Sequence, residues 1–349
     1  MNTVLVTGGA GFIGSNFIRF FLHTNSKVRV VNLDKLTYAG NPENLTEVQS
    51  DPRYRFIRGD ICNREFVEYL FCEHDIRGVI HFAAETHVDN SIAGPQVFIE
   101  TNVKGTLTLL EAARSYWMDA PGRYREKYRN CRFHHISTDE VYGTLGRGDL
   151  FKETTPYAPN SPYSVSKASS DMLVRSYCRT YGLDTVTTNC SNNYGPKQHA
   201  EKLIPTIVRK ALACETIPLY GRGDNIRDWL FVEDHCRAID LVYRKGRAGD
   251  RYNIGGDNEK TNMEVALLIC DLLDRWKPKT QGGSYKSQIA FVPDRPGHDF
   301  RYALDISKIE REIGWKPKED FVSGLEKTVR WYLADSEKRL YRCQRGRIN

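Results

Sequence analysis

The chain opens with Val4-Leu-Val-Thr-Gly-Gly-Ala-Gly-Phe-Ile-Gly14, an apolar run that ends in glycines. The apolar run predicts a buried β-strand, and residues 12–22 predict the helix that follows it. Glycines at such a junction permit a tight turn. They also let the backbone approach a pyrophosphate, whose charge the helix N-terminus stabilises. A turn that merely happens to be rich in glycine is the alternative, and the rest of the chain decides between them.

Short β-rich runs and helical segments alternate along the first half of the chain. Strands are predicted at residues 28–33, 54–58, 78–83, 132–137 and 185–189, and helices at 65–73, 94–117 and 161–181. Strands that alternate with helices in this way form parallel sheets covered on both faces. We therefore predict an α/β fold with a Rossmann-like, doubly wound parallel sheet.

The character of the sequence changes after Asn193, where turn-rich stretches predict loops over a smaller α/β domain. Two later strands, at residues 229–232 and 251–254, are predicted to return to the main sheet. The two domains are therefore expected to interleave. The predicted division is residues 1–190 plus about 226–256 for the cofactor, about 191–225 plus 257–335 for the substrate, and 336–349 as a C-terminal tail.

Composition excludes several classes of protein. A net charge of +6 spread over 349 residues favours a solvated surface, or a slightly positive cleft for an anionic substrate, over a nucleic-acid footprint. Nine cysteines without a C-x-x-C pair argue for reduced, cytoplasmic thiols, with no metal site. No apolar run approaches the roughly 18–20 residues of a membrane span. The first residues read as a strand, so no signal peptide is expected.

Asp34 closes the second predicted strand and indicates which dinucleotide is bound. An acid at this position bonds both ribose hydroxyls and repels a 2′-phosphate, which favours NAD over NADP. Lys35 follows directly and weakens that inference slightly. Asp60 ends the third strand, where a carboxylate that reaches the adenine and a simple turn cap are equally good interpretations.

Tyr163 and Lys167 lie four positions apart and therefore share one helix face. A free tyrosine titrates near about 10, too high for a base at neutral pH. A neighbouring ammonium lowers that pKa by favouring the phenolate. The pair therefore predicts a general base, Tyr163, supported by Lys167.

Thr138 ends a predicted strand at its carboxyl end, where open α/β sheets bind their ligands. Its hydroxyl is placed to share a hydrogen bond with a substrate hydroxyl and Tyr163. Asp139 and Glu140 come next. Adjacent acids usually mark an exposed turn or a helix N-terminus, but one turn of chain cannot carry these two far from Thr138. They therefore predict a further acid and base.

Motifs along nearly the whole chain, from residue 3 to about 335, resemble those of the extended short-chain dehydrogenase/reductase (NAD-dependent epimerase/dehydratase) family. More narrowly, the chain resembles the dTDP-glucose 4,6-dehydratases. The matching motifs are Thr7-Gly-Gly-Ala-Gly-Phe-Ile-Gly14, Asp34-Lys-Leu-Thr-Tyr-Ala-Gly-Asn41, His81-Phe-Ala-Ala-Glu-Thr-His-Val-Asp89, Ser137-Thr-Asp-Glu-Val-Tyr-Gly143, Tyr163-Ser-Val-Ser-Lys167, Asn189-Cys-Ser-Asn-Asn-Tyr-Gly-Pro196, Glu201-Lys-Leu-Ile-Pro205, Ile226-Arg-Asp-Trp229 and Arg295-Pro-Gly-His-Asp299. The glycine motif and the Tyr/Lys pair are shared across the superfamily. Thr-Asp-Glu and Arg-Pro-Gly-His-Asp are much more specific.

The resemblance implies a lyase that converts dTDP-glucose to dTDP-4-keto-6-deoxyglucose with NAD as a bound, regenerated cofactor. Tyr163 would take the C4 hydroxyl proton while a hydride leaves C4. Glu140 would then remove the C5 hydrogen, and protonated Asp139 would protonate the departing C6 hydroxyl before the hydride returns to C6. Neighbouring carboxyls in opposite protonation states commonly divide such roles. The resemblance also implies a homodimer, paired through helices near residues 97–117 and 161–181.

The same resemblance extends the set of candidate binding residues. Those expected around NAD are Gly8, Gly11, Phe12, Ile13, Gly14, Asp34, Lys35, Leu36, Thr37, Asp60, Ile61, Phe82, Ala83, Ala84, Thr86, Thr101, Tyr163, Lys167 and Asn193. Those expected around the nucleotide sugar are His87, Thr138, Asn192, Glu201, Lys202, Leu203, Pro218, Tyr220, Arg227, Asn262, Arg295, His298 and Tyr302. Arg227 and Arg295 are candidates for the diphosphate, because guanidinium groups bind phosphate in a bidentate way. Each could instead form a structural ion pair.

One segment departs from the family pattern. Residues 197–199 are Lys-Gln-His, where other members often have aromatic residues, and Ala200 precedes Glu201. The preference for dTDP over UDP or CDP therefore stays open. Two other functions are weighed against the dehydratase. A nucleotide-sugar 4-epimerase would share the glycine motif and the Tyr/Lys pair but needs no carboxyl pair. A non-catalytic NAD-binding regulator would typically have lost the Tyr/Lys pair.

Overall fold

The computed structural model describes the backbone of residues 2–345 and the side chains of residues 2–336. The strands are β1 (Asn2–Thr7), β2 (Val28–Asp34), β3 (Tyr54–Arg58), β4 (Ile76–His81), β5 (Met118–Ala120), β6 (Arg123–Tyr124), β7 (Arg132–Thr138), β8 (Thr185–Cys190), β9 (Asn192–Tyr194), β10 (Ile217–Tyr220), β11 (Ile226–Phe231), β12 (Arg251–Ile254), β13 (Glu259–Thr261) and β14 (Ile289–Val292). The helices are α1 (Phe12–Thr24), α2 (Arg64–Glu73), α3 (Val88–Ala93), α4 (Gln96–Phe98), α5 (Gly105–Trp117), α6 (Pro162–Tyr181), α7 (Leu203–Leu212), α8 (Val232–Lys245), α9 (Asn262–Trp276), α10 (Ser307–Ile313) and α11 (Phe321–Arg345).

A parallel sheet of seven strands, ordered β12-β8-β7-β4-β1-β2-β3, forms the centre of the described chain. Strand β1 is buried on both faces, with Leu5 in one hydrophobic core and Val4 and Val6 in another. Because successive side chains of a strand point to opposite faces, a strand covered on both sides is apolar throughout. The predicted Rossmann-like, doubly wound fold is confirmed.

A second, smaller group of elements packs around its own core, which α7, α9 and α11 cover. It contains the pair β10-β14 and the three-stranded sheet β13-β11-β9. The prediction that residues 229–232 return to the main sheet is wrong, because β11 pairs with β9 and β13. Trp229 and Phe231 are buried in the second core, which holds β11 there. The strand at residues 251–254 does join the main sheet.

The predicted helix over residues 94–117 is confirmed from Gln96 to Trp117, although it includes a π-helical turn. Helices α3 and α4 are separated by Pro95, which has no N–H for a helical hydrogen bond. A π-helical turn (Ile99–Lys104) then precedes α5. In this turn, Asn102 exchanges hydrogen bonds with the backbone of Glu85, at 2.8 and 3.0 Å. The widened turn therefore ties this helix to the segment that follows β4.

Two further expectations concern the ends and the surface of the molecule. The predicted tail at residues 336–349 begins inside α11, and its last four residues lie outside the described part of the chain. Between residues 2 and 345, no helix has the length and apolar character needed to cross a membrane.

Candidate active site

The turn between β1 and α1 has no room for side chains at two of its glycines. A Cβ added to Gly8 would lie 2.6 Å from the backbone nitrogen of Ala83, and Gly8 has a φ of +71°. A Cβ on Gly14 would lie 2.5 Å from the Gly8 carbonyl oxygen. Glycine is therefore required here, because the turn, α1 and the end of β4 approach one another closely. The result is a bare backbone surface at the N-terminus of α1.

This turn lines one end of a cavity that follows the carboxyl edge of the main sheet. The predicted cofactor residues that line it are Gly8, Gly11, Phe12, Ile13, Gly14, Asp34, Lys35, Thr37, Asp60, Ile61, Phe82, Ala83, Ala84, Thr86, Thr101, Tyr163, Lys167 and Asn193. Leu36, also predicted, does not line the cavity. It adopts a φ of +57°, and its N–H donates to Asp34 Oδ1 at 2.8 Å. Leu36 thus shapes the loop around Asp34.

Asp34 and its neighbours fit a dinucleotide without a 2′-phosphate. The Ala10 N–H donates to Asp34 Oδ2 at 2.8 Å, which fixes the carboxylate at the end of β2. Lys35 Nζ lies 2.7 Å from Asp60 Oδ2, so this carboxylate already holds the ammonium. Lys35 is therefore less suited to bind a phosphate than its position in the sequence suggests. The glycine surface and the oriented carboxylate together suit NAD.

The Tyr163 and Lys167 side chains both enter the cavity, but they do not interact as predicted. Lys167 Nζ donates to the Ile136 carbonyl oxygen at 2.8 Å. Burial lowers the pKa of Lys167 to about 8. Burial and the charge of Glu140 raise the pKa of Tyr163 well above its ordinary value, while a hydrogen bond with Thr138 lowers it. The phenolate that a base needs is thus disfavoured by these surroundings alone.

Asp139 and Glu140 occupy a 3-10 turn (Asp139–Tyr142) that begins where β7 ends. Asp139 is 2% exposed, and its Oδ2 has no hydrogen-bond partner among the described residues. Burial and the charge of Glu140 raise the pKa of Asp139 well above its ordinary value. Burial also raises the pKa of Glu140, but the charges of three cations, Lys202, Arg227 and Arg295, oppose that rise. Burial thus raises the pKa of both carboxyls, and more cations oppose the rise at Glu140 than at Asp139.

Thr138 is buried and connects these carboxyls to the rest of the site. Its hydroxyl donates to Asp139 Oδ1 at 3.3 Å and accepts from the Glu140 N–H, also at 3.3 Å. It thereby caps the turn that carries both acids. Thr138, Asp139, Glu140, Tyr163 and Lys167 all line the same cavity. The structure thus brings all five predicted catalytic residues together.

Arg227 and Arg295 approach Glu140 from the second group of elements. The Arg227 guanidinium donates to the carbonyl oxygens of Ile226, Phe300 and Asp299 at 2.7, 3.1 and 2.9 Å, and it lies 4.3 Å from the centre of the Tyr302 ring. Arg227 is thus locked in place by backbone groups. Arg295 is less constrained, because its closest ion-pair contact is to Asp89 at 3.7 Å. Arg295 is therefore the freer of the two cations.

Three of the other predicted substrate residues line the cavity, whereas Arg227, Arg295 and the remainder do not. Asn192, Glu201 and Lys202 line the cavity, and Lys202 Nζ donates to the Thr86 carbonyl oxygen at 3.1 Å. The rest lie outside this lining: His87 caps α3, Pro218 and Tyr220 belong to β10, Asn262 begins α9, His298 contacts Asp294, and Tyr302 donates to Asp299. Leu203 packs against the second core.

Several lining residues were not predicted: Leu33, Ala39, Gly40, Gly59, Glu85, Ile136, Ser137, Cys190, Ser191, Gln198 and His199. Most of them are next to a predicted residue in the sequence. Including the residues on either side of each motif would therefore have predicted most of them. Two other missed groups, His135 and Asp171, lie behind Lys167. No local pattern indicates them, because they meet only when β7 packs on α6.

Comparisons with known proteins show which sequences and structures this chain resembles. The sequence profile described as GDP-mannose 4,6 dehydratase matches residues 5–328. The dTDP-glucose 4,6-dehydratase of Escherichia coli is 57% identical over 342 residues, which is 95% of this chain and 93% of that protein. The crystal structure of DesIV, a dTDP-glucose 4,6-dehydratase from Streptomyces venezuelae with NAD and TYD bound, is 48% identical. It superposes with a TM-score of 0.86 over 95% of this chain and 97% of its own.

The fold alone does not separate related activities. The UDP-glucose 4-epimerase of Thermotoga maritima, solved with UDP-glucose, has a TM-score of 0.83 at 28% identity, over 95% of this chain and 99% of its own. The resemblance to the dehydratases is confirmed by the higher identities, of 48% and 57%. The distinction between the two activities therefore depends on the side chains of the site.

Proposed function

The chain belongs to the GDP-mannose 4,6 dehydratase family, and we propose that it removes water from dTDP-glucose to give dTDP-4-keto-6-deoxyglucose. The names of its most similar relatives support this substrate. The observation that carries the proposal is the pair Asp139 and Glu140, which shares one cavity with Tyr163 and Lys167. An epimerase needs the second pair only.

NAD, when bound, would accept the hydride from C4 of the sugar and return it at C6. The glycine surface of the β1-α1 turn would hold its pyrophosphate, because backbone N–H groups at a helix N-terminus attract negative charge. Asp34 would bind its adenosine ribose. Lys167 would bind the ribose next to the nicotinamide. The turn glycines Gly8, Gly11 and Gly14, together with Asp34 and Lys167, all line the same cavity.

The first step assigns Tyr163 as the base that takes the C4 hydroxyl proton. Its raised pKa must fall for this to occur. The hydrogen bond with Thr138 lowers it, and positive charge brought close to the phenol by the bound ligands would lower it further. Thr138 would hold the same sugar hydroxyl by a hydrogen bond. General base catalysis of this kind contributes about a hundredfold to ten-thousandfold in rate.

The second step divides the carboxyls between base and acid. Glu140, whose ionised form is favoured by Lys202, Arg227 and Arg295, would remove the C5 hydrogen. Oxidation at C4 acidifies this hydrogen. Burial and the charge of Glu140 raise the pKa of Asp139 and so favour its protonated form, which would give its proton to the departing C6 hydroxyl, which leaves as water. Glu140 would then return its proton to C5 when C6 is reduced.

The balance of protons over one turnover requires a proton to be transferred within the site, and Thr138 is placed to transfer it. After one turnover, Tyr163 has gained the C4 hydroxyl proton and Asp139 has lost a proton to the leaving water. The site is restored only when a proton passes from the phenol to the Asp139 carboxylate. The Thr138 hydroxyl donates to Asp139 at 3.3 Å and lines the same cavity as Tyr163, so we assign it the relay of this proton.

Other features of the chain indicate its oligomeric state and its cellular location. We propose a homodimer paired through the helices near residues 97–117 and 161–181, which expose the apolar side chains Val97, Ile99, Leu107, Val165 and Met172. Exposed apolar side chains, when they cluster, mark protein interfaces. We also propose a cytoplasmic location, because the cysteines of the described side chains are free thiols.

The two parts of the chain are proposed to bind different ligands. The main sheet would bind NAD, and the group of elements around the second core would bind the nucleotide sugar.

The function is tested by incubating the NAD-loaded protein with dTDP-glucose and with UDP-, CDP- and GDP-glucose in parallel. We expect a stable 4-keto-6-deoxy product, detected by its absorbance in alkali, from dTDP-glucose in preference to the others. The formation of dTDP-galactose alone would instead support the epimerase. NAD binding without turnover of any nucleotide sugar would support a non-catalytic regulator.

A further inference from the structure

A polar network lies behind Lys167, on the side away from the cavity. It consists of His135 on β7 and Asp171 on α6, which are 1% and 4% exposed. Neither residue lines the cavity, and the reaction steps above use neither. Buried ionisable groups destabilise a protein unless they are paired. Their contacts therefore indicate what they do.

The network places an imidazole between the Lys167 ammonium and a carboxylate. His135 Nε2 lies 3.5 Å from Lys167 Nζ and 3.2 Å from Asp171 Oδ1. Lys167 and Asp171 are four residues apart on α6, so both face β7. Lys167 Nζ also donates to the Ile136 carbonyl oxygen at 2.8 Å. The ammonium is thus fixed from behind while it faces the cavity.

The far oxygen of Asp171 is held by two further groups. Tyr157 donates its hydroxyl proton to Asp171 Oδ2 at 2.6 Å, and the Asn189 side-chain amide donates to the same oxygen at 3.1 Å. Burial raises the pKa of Asp171, but the close approach of His135, the charge of Lys167 and the Tyr157 hydrogen bond together leave it below its ordinary value. Asp171 is therefore ionised.

We propose that Asp171, acting through His135, is a positioning residue that keeps the Lys167 ammonium charged and aimed at the cofactor. Burial lowers the pKa of Lys167 to about 8, and the negative charge of Asp171 opposes this fall. Burial lowers the pKa of His135 to about 4, so the imidazole is neutral. The His135 Nε2 either accepts a hydrogen bond from Lys167 or donates one to Asp171, depending on the tautomer. The imidazole thus lies between the ammonium and the carboxylate. The inference rests on the proposed function, which gives Lys167 its task.

Among the groups around the network, Asp171 is the main negative charge that acts on the Lys167 ammonium. The other ionisable groups that face the network from neighbouring elements are His81 of β4, Tyr142 and Tyr157 of the segment between β7 and α6, Cys190 of β8 and Arg251 of β12. Burial keeps the histidine, the tyrosines and the thiol neutral at pH 7. The Arg251 guanidinium is charged and lies 4.6 Å from the centre of the Tyr157 ring.

The test is Asp171→Asn in the full chain, with two readouts measured from neutral to alkaline pH. These are the NAD affinity by calorimetry and kcat/KM with dTDP-glucose. In the unchanged protein, both are expected to weaken above about pH 8, where Lys167 loses its proton. Loss of the opposing charge lowers the pKa of Lys167 further, so the weakening is expected about one pH unit lower. Asp171→Glu restores the negative charge. In this variant, the pH above which NAD affinity and kcat/KM weaken is expected to return towards that of the unchanged protein.

Controls separate this effect from a loss of folding. Asp240→Asn removes another buried carboxylate, which pairs with Arg244 on α8, and is expected to leave the pH dependence unchanged. If Asp171→Asn does not fold, Tyr157→Phe removes one of the two hydrogen bonds to Asp171 Oδ2, so the carboxylate is held less firmly. This variant is expected to give a smaller shift in the same direction. An unshifted pH dependence in the folded variant overturns the proposal. If dTDP-glucose is not a substrate, the proposed function fails, and NAD affinity still decides this inference.

Discussion

The two ends of the cavity are built in different ways. At the cofactor end, the surface is backbone, shaped by Gly8 and Gly14, where any Cβ would collide with the neighbouring chain. At the substrate end, the surface is made of charged side chains, and Lys202 and Arg295, far apart in sequence, both act on Glu140. The shape of the cofactor end depends on one short turn. The arrangement of charges at the substrate end depends on how distant parts of the chain pack together. Substitutions should therefore affect the two ends differently.

The largest effect is expected where the two ends meet, at Tyr163. Tyr163→Phe removes the proposed base but retains the ring, so we expect turnover of dTDP-glucose to fall about a hundredfold to ten-thousandfold with NAD affinity little changed. Steady-state kinetics and calorimetry measure the two quantities. Tyr142→Phe is the matched control, since Tyr142 is buried and bonds Asn253 outside the cavity. Equal losses in both variants would contradict the assignment.

The next effect concerns the return of the proton through Thr138. Thr138→Val removes the hydroxyl between Tyr163 and Asp139, so one turnover can proceed but the site is not restored. We expect a burst of about one product per site in rapid-quench experiments, followed by steady turnover slowed about a hundredfold. Thr138→Ser should restore continuous turnover. A slow first turnover with no burst would show that Thr138 serves only the oxidation step.

At the cofactor end, Gly14→Ala and Gly11→Ala should separate folding from binding. The Gly14 Cβ would lie 2.5 Å from the Gly8 carbonyl oxygen, so we expect a loss of about 1–3 kcal/mol in unfolding free energy and weak NAD binding. The Gly11 Cβ would meet only that oxygen, at 3.3 Å, and would otherwise face the cavity. Gly11→Ala should therefore keep its stability but bind NAD less tightly. Equal melting temperatures would contradict this.

The smallest effect is expected at the substrate end. Arg295→Lys keeps the charge but loses the bidentate geometry suited to a diphosphate. We expect KM for dTDP-glucose to rise about tenfold, the loss of roughly one hydrogen bond to a charged group, while NAD affinity is unchanged. Arg222→Lys, at an exposed ion pair with Asp224, is the matched control. A KM equal in both variants would remove Arg295 from the binding site.

The cofactor end could be predicted from sequence because its causes are local. The strand, the glycine turn and α1 follow one another within 24 residues, and Asp34 follows from the end of β2. The main exception is Lys35, whose pairing with Asp60 joins the ends of two strands. Asp139 and Glu140 were also predictable, because they directly follow the end of β7.

The rest required tertiary structure. Residues 229–232 have the composition of a strand, but nothing local specifies which sheet they join; burial of Trp229 and Phe231 in the second core decides it. The π-helical turn at Ile99–Lys104 was not predicted, because its Asn102 bonds the backbone of Glu85, a contact between distant segments. The pKa of Tyr163 was mispredicted because helical spacing places Lys167 on the same face without showing that its ammonium bonds Ile136.

The central claim, that the carboxyl pair turns an oxidation site into a dehydratase, is tested most directly at Glu140. Glu140→Gln retains Tyr163 and Lys167, and we measure hydride exchange at C4 and water elimination from dTDP-glucose in the same sample. We predict that hydride exchange continues while elimination slows about a hundredfold to ten-thousandfold. Elimination at the unchanged rate would contradict the claim, because Glu140 would then not be the base that removes the C5 hydrogen.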